Sequence, residues 1–308
     1  MVFSNLIAVY LFLGGTAAGC FTLMASMDLA EYLYGMRRYG TFSLAFRAHV
    51  HRPDFITRRR IARLVYVIAF IGLLFGLGCL LGDLGQPLMF WKLFLFPTTS
   101  LVSLGSFGLS GLLICMVLVL MNAVLTLPPV FRNIAIGARF VGIPCGIFVM
   151  VYTGLLLKAV LAVQLWQSAW LPVLFLFSAL SCACGAILLC VYFCSGYRGV
   201  KQWVHAISVI DIAFIVLEII AMIGFLHSLH IAQHDGCMVA LLFGKTSVLF
   251  WGGFVVCGLV LPLVIEITLL VLHKHEISGL VSFLACLILV GGLSLRFALI
   301  LAGVHVIG

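Results

Sequence analysis

Gly82-Asp83-Leu84-Gly85-Gln86-Pro87-Leu88-Met89-Phe90-Trp91-Lys92 separates two long apolar runs, and its reading decides what kind of protein this is. Two glycines and a proline stop the preceding helix and allow a sharp backbone turn. Asp83 then stands where an apolar segment reaches water. Phe90 and Trp91 favour the level of lipid headgroups, and Lys92 reaches solvent from there. The turn is either a helix-breaking loop with aromatic anchors or one wall of a site at a membrane face, where a lipid-soluble ligand meets a water-soluble partner.

The runs on either side of this turn repeat along the whole sequence. With 65% hydrophobic residues, 8% charged residues and a mean hydropathy of +1.31, the composition lies far from that of a soluble domain and fits a polytopic membrane protein. A spanning helix needs about 20 apolar residues. Eight segments meet that length: approximately 6–27, 61–81, 98–125, 140–163, 171–193, 204–226, 248–272 and 279–302. The expected fold is an all-α integral membrane protein, one domain over 1–308. Small residues inside the runs, such as Gly14, Gly15, Gly19, Gly105, Gly108, Gly291 and Gly292, suit close helix packing in lipid.

Charge sets the orientation. Of the 17 Lys and Arg, 13 fall on one side of this arrangement: Arg37, Arg38, Arg47, Arg52, Arg58, Arg59, Arg60, Arg63, Arg132, Arg139, Arg198, Lys201 and Lys274. Basic loops stay cytoplasmic, so both termini are expected outside. The first run is expected to be an uncleaved anchor, because the basic cluster follows it instead of preceding it. The net charge of +8 is not gathered on one solvated face, which argues against a nucleic-acid partner. The 11 Cys lie mostly within apolar runs and form no CxxC pair, so no iron–sulfur cluster or disulfide framework is expected.

Ionisable groups inside the runs are costly unless paired or wetted, and so mark function or architecture. They are Lys158, Asp211, Glu218, Glu266 and Arg296. Asp211 and Glu218 are seven apart and share a helix face. Counting about 1.5 Å per residue, Glu218 sits roughly 22 Å and Arg296 roughly 25 Å from the inner ends of their helices, so the two can pair. Lys158 is placed to answer Asp83. Such pairs serve either as glue between helices or as part of a proton path from the cytoplasm. Tyr152 also falls in the outer half of a run, where a phenol either packs or donates a hydrogen bond to a quinone carbonyl. His227, His230 and His234 form an H-x2-H-x3-H cluster in the longest outer loop, read as interfacial histidines or a metal site. Haem needs two facing histidines, and only His205, His227 and His305 lie near helix ends, a poor set. No hydrolytic or phosphoryl-transfer motif is present.

In order, the stretches Tyr10-Leu-Phe-Leu-Gly-Gly-Thr-Ala-Ala-Gly19, Gly82-Asp-Leu-Gly-Gln-Pro87 with Phe90-Trp91-Lys92, Tyr152-Thr-Gly-Leu-Leu156, Leu171-Pro-Val-Leu-Phe-Leu-Phe-Ser-Ala179 and Gly291-Gly-Leu-Ser-Leu-Arg296 resemble the NrfD/PsrC family, membrane subunits of polysulfide-reductase-like molybdoenzymes. The resemblance spans nearly the whole sequence. It implies a bound menaquinone near the outer face and no haem or iron–sulfur cluster in this polypeptide. It also implies a four-cluster ferredoxin-like iron–sulfur subunit and a molybdopterin catalytic subunit docked outside a bacterial cytoplasmic membrane. Electrons then pass between menaquinol and the clusters, making the protein the quinol-reactive subunit of an oxidoreductase. The family's quinone-binding tyrosine corresponds to Tyr152 and the acid of its glycine turn to Asp83; Asn5, Tyr10, Trp91 and Lys158 are expected around the same pocket. Asp211, Glu218, Glu266 and Arg296 are the candidate proton path. The Arg-rich stretch from Arg37 to Arg63 departs from the family pattern. A transporter or proton channel without redox partners is the rival reading, disfavoured because no pair of broken helices recurs in two halves. An inert tether for partner subunits is a third.

Overall fold

The computed structural model describes residues 5–39, 55–83, 101–125, 128–194, 200–232, 235–244, 246–271 and 279–305. In sequence order the helices are α1 (Asn5–Tyr39), α2 (Phe55–Asp83), α3 (Leu101–Val124), α4 (Pro129–Lys158), α5 (Trp170–Phe193), α6 (Val200–Ile231) and the short α7 (Asp235–Phe243). A π-helical segment, Val248–Val260, continues directly into α8 (Leu261–Val271), and α9 (Gly279–His305) follows. Among the described residues, eight helices are long and apolar enough to cross a membrane, with the π segment and α8 together forming one of them.

Bounds differ from the sequence expectation where charge suggested a loop. α4 starts at Pro129, not near 140, so Arg132 and Arg139 sit on helix. Pro129 at the first turn explains the start, since proline lacks the N–H that would be orphaned there anyway. The same helix ends at Lys158, and residues up to 163 make turns before a short 3₁₀ segment, Gln164–Gln167. α6 continues through His227 and His230 to Ile231, and α7 occupies part of the stretch expected as a long loop. Trp91 and the rest of the glycine turn beyond Asp83, residues 40–54 of the Arg-rich stretch, His234 and 273–276 lie outside the described residues.

The packing forms two groups of helices. α1 packs on α2 and α4, and α3 packs on α4; α5 packs on α6, and α9 packs on the π segment. α1, α5 and α9 join the groups and are the most enclosed spans, with 72%, 67% and 61% of their apolar windows buried, against 28% for α2, α6 and the π segment with α8. The less enclosed spans turn large apolar side chains outward, among them Ile71, Phe75, Ile220, Ile223 and Val264. That pattern suits contact with lipid.

Close approach depends on small residues. A Cβ at Gly19 would meet the Ala179 carbonyl oxygen at 2.8 Å. Gly258 of the π segment and Gly291 of α9 lie backbone against backbone. Trp166 is fully buried and donates from its indole N–H to the Leu299 carbonyl at 3.0 Å, fixing the 3₁₀ turn to α9.

One end of the bundle is tied by charge. Asp28 of α1 accepts hydrogen bonds from Arg58 Nη2 (3.0 Å) and the Tyr66 hydroxyl (2.7 Å) of α2, and from Arg139 Nε of α4 (3.2 Å). Arg58 also pairs with Glu31. A carboxylate shared by two guanidinium groups and a phenol, with all three charged partners less than a fifth exposed, holds three helices in register. This is the basic end; Asp83 marks the other.

Candidate functional site

At the Asp83 end, α1, α2, α3 and α4 converge. Asp83 is half-buried in the last turn of α2. Its neighbour Gly82 faces Leu6 of α1, with a Cβ there 3.7 Å from the Leu6 side chain. Tyr10, one turn deeper on α1, is fully buried and lies across Gly14 and Gly76. A Cβ at Gly76 would stand 3.3 Å from the Gly14 nitrogen, so the absence of side chains lets α1 and α2 close over the phenol.

Tyr152 of α4 is 2% exposed and stacks on Phe148, with centroids 6.0 Å apart and planes 19° from parallel. Its ring fills the space where a Cβ at Gly105 of α3 would stand, and Phe148 does the same at Gly108. The two rings are thus held by a glycine-lined face of α3 spaced i, i+3. Tyr10 and Tyr152 lie close enough to interact electrostatically. The Tyr10 hydroxyl is buried and has no hydrogen-bond partner among the described residues. A buried hydroxyl left unpaired costs about 1–3 kcal/mol, so an unmet donor beside a second phenol is a position where a ligand carbonyl gains. Lys158 is half-buried in the last turn of α4, six residues or about 9 Å beyond Tyr152 along the helix. Of Asn5 only the backbone, the first residue of α1, is described.

A second polar group threads the other half of the bundle. Arg296 of α9 is wholly buried; its Nη1 donates to Ser178 Oγ of α5 at 2.5 Å and to the Gly292 carbonyl at 2.8 Å, and its guanidinium lies 5.2 Å from the Phe175 ring centroid. Glu218 of α6 approaches the same Ser178. The two charges expected to pair therefore meet across a serine, without a direct ion pair. Deeper, Asp211 of α6 and Glu266 of α8 face each other, with Ser181 beside the first and Ser208 beside the second. All four residues are at most 3% exposed. Toward α1, Gly15 comes near Arg296, and the Thr16 hydroxyl lies by the Cys182 thiol. From Ser208 to Glu218 the polar groups climb ten residues of α6, about 15 Å. From Gly15 to Tyr10 is a further five residues, about 7 Å.

Charge alone located Asp211, Glu218, Glu266 and Arg296 in the sequence. Ser178, Ser181, Ser208 and Thr16, which complete the group, were missed. A lone Ser or Thr in an apolar run usually satisfies itself on the carbonyl one turn back, so nothing in the sequence sets these apart. Their signal is that each lies opposite an ionisable residue.

The polysulphide reductase NrfD family matches across residues 1–308. The C subunit of polysulfide reductase from Wolinella succinogenes is 29% identical over 252 residues, covering 76% of this protein and 78% of the relative. The Protein NrfD homolog of Haemophilus influenzae is 24% identical over 324 aligned positions, covering 98% and 94%. With eight apolar spans, a whole-length family match and relatives aligned over most of their own length, this protein belongs to the NrfD family of polysulphide reductase membrane subunits.

Proposed function

We propose that the protein is the quinone-binding membrane subunit of a respiratory molybdopterin and iron–sulfur oxidoreductase, exchanging electrons between menaquinol and an iron–sulfur subunit docked at the Asp83 end. The observation that carries this reading is the pair of buried phenols, Tyr10 with no hydrogen-bond partner for its hydroxyl among the described residues and Tyr152 locked against Gly105; the Asp83 carboxylate stands about 10 Å further along α2 than the Gly76 on which Tyr10 packs. A relative named as one lettered subunit of a reductase supports a multi-subunit assembly. By the charge rule the Asp28–Arg58 end faces the cytoplasm, which puts the quinone pocket and its partners on the outer face of the bacterial membrane.

Two phenols provide one donor for each carbonyl of a quinone head group, so these residues fit the cofactor. Bound menaquinol supplies two electrons and two protons. Tyr152, fixed by ring stacking and the α3 glycines, orients the head group. Tyr10 satisfies its own hydroxyl only when that pocket is filled. Asp83, half-buried at the rim, takes the released protons toward water. The outward faces of α2 and α3 are apolar, with Phe75, Leu104 and Phe107 exposed, which suits the approach of a lipid-soluble molecule from the side. The acceptor reduced or oxidised at the far end of the assembly is chosen by another polypeptide.

Tyr152→Phe and Asp83→Asn are expected each to cut quinol-dependent turnover of the whole complex while leaving a soluble dye assay unchanged. Full quinol turnover in both variants would remove the assignment. Co-purification of an iron–sulfur protein separates this reading from a transporter working alone.

A further inference from the structure

Asp211 and Glu266 take no part in the quinone pocket. They come from two helices, face each other at zero exposure, and have all four carboxyl oxygens without a hydrogen-bond partner among the described residues. Ser181 and Ser208 turn toward them, and their hydroxyls are also unpartnered. Elsewhere in the bundle serines bond the carbonyl one turn back, as on α3 Ser106 does to Val102 at 2.9 Å and Ser110 to Ser106 at 2.7 Å. Ser181 and Ser208 do not do so, although it is the easy arrangement. Six buried oxygens from α5, α6 and α8 thus converge on one another.

We propose that Asp211 and Glu266 form a proton-binding carboxyl pair, at least one of them protonated at neutral pH, standing at the inner end of the polar column that leads to the phenols. Two carboxylates enclosed in apolar surroundings repel and cannot both remain ionised. The charged group nearest the column, Arg296, is engaged by Ser178 and faces Glu218, leaving the deeper acids uncompensated. The other titratable groups facing the pair are Cys182 and Cys184 of α5, and Glu218 on the helix of Asp211. None of these brings positive charge. Sodium is the competing occupant, and membrane sites for it draw on carbonyls of unwound helix. Here α5 and α6 run unbroken through Ser181 and Asp211, so their carbonyls are spent on the helix. A proton requires only the oxygens present.

The pair's role as a loading point for protons moved with quinol chemistry rests on the proposed function; its protonation does not. Infrared spectra of the intact detergent-solubilised complex at neutral pH test the protonation directly, without turnover. The protonated-carboxyl C=O band is expected in the wild type, lost or reduced in Glu266→Gln, altered in Asp211→Asn, and unchanged by sodium chloride against potassium chloride. The same band in the wild type and both variants, or a band bleached by sodium, would overturn the proposal. Glu266→Gln is isosteric, and co-purification of the iron–sulfur subunit with the variant confirms that the complex is assembled. Should the band behave as expected while Tyr152→Phe and Asp83→Asn both leave quinol turnover intact, the quinone reading fails and the proton site stands.

Discussion

Tyr10→Phe removes one oxygen atom, and its effect on stability should oppose its effect on activity. In the structure the Tyr10 hydroxyl is at zero exposure and finds no acceptor among its described neighbours. Such a group costs about 1–3 kcal/mol relative to an apolar replacement of the same shape. With the ring packed across Gly14 and Gly76, Phe keeps every contact except the oxygen. Quinone-stripped protein should therefore gain stability of that order. A hydrogen bond to a ligand carbonyl contributes about 0.5–1.5 kcal/mol net, so loss of the hydroxyl should weaken quinol binding roughly two- to twelve-fold. The assays are thermal unfolding of lipid-extracted complex and quinol KM in proteoliposomes, with the dye assay as control. A variant that melts lower and keeps its quinol KM would show that the hydroxyl serves packing, and the pocket would have to lie elsewhere.

Gly105→Ala should push the Tyr152 ring from its seat, because the added methyl overlaps that ring. Overpacking of about 1–3 kcal/mol and slowed quinol turnover are expected in activity and melting assays, while Gly137→Ala, with open space at its Cβ, changes neither. Asp28→Asn leaves Arg58 and Arg139 facing each other with one fewer negative charge, and should cost roughly 3 kcal/mol, read as a lower Tm with quinol KM unchanged. Gly291→Val places side-chain atoms against the Gly258 backbone and should abolish accumulation of the folded subunit in membranes, read by immunoblot.

Apolar runs of about 20 residues are visible in any sequence because lipid demands them, and all eight spans were found that way. The ends were less legible. Arg132 and Arg139 suggested a loop, but they lie on α4, where Arg139 reaches Asp28. A charge near a span's end can thus reflect a buried partner on another helix. The acids in the membrane were legible through their cost, whereas their partners were not. Which serine faces which acid depends on the rotation of three helices about their axes, and an apolar stripe that is nearly continuous leaves that rotation unmarked. The tie of Asp28 to Arg58, Tyr66 and Arg139 was missed for the same reason, although an acid followed by a run of arginines was its signal.

The central claim is that the two phenols and Asp83 surround a quinone head group. Density for a bound quinol-site inhibitor in a map of the whole complex tests it most directly. The account predicts that density between Tyr10 and Tyr152 at the Asp83 end, beneath a docked cluster-bearing subunit. Inhibitor density at the Asp28–Arg58 end, or a pocket at Tyr10 filled by nothing but protein while the inhibitor binds elsewhere, would contradict it.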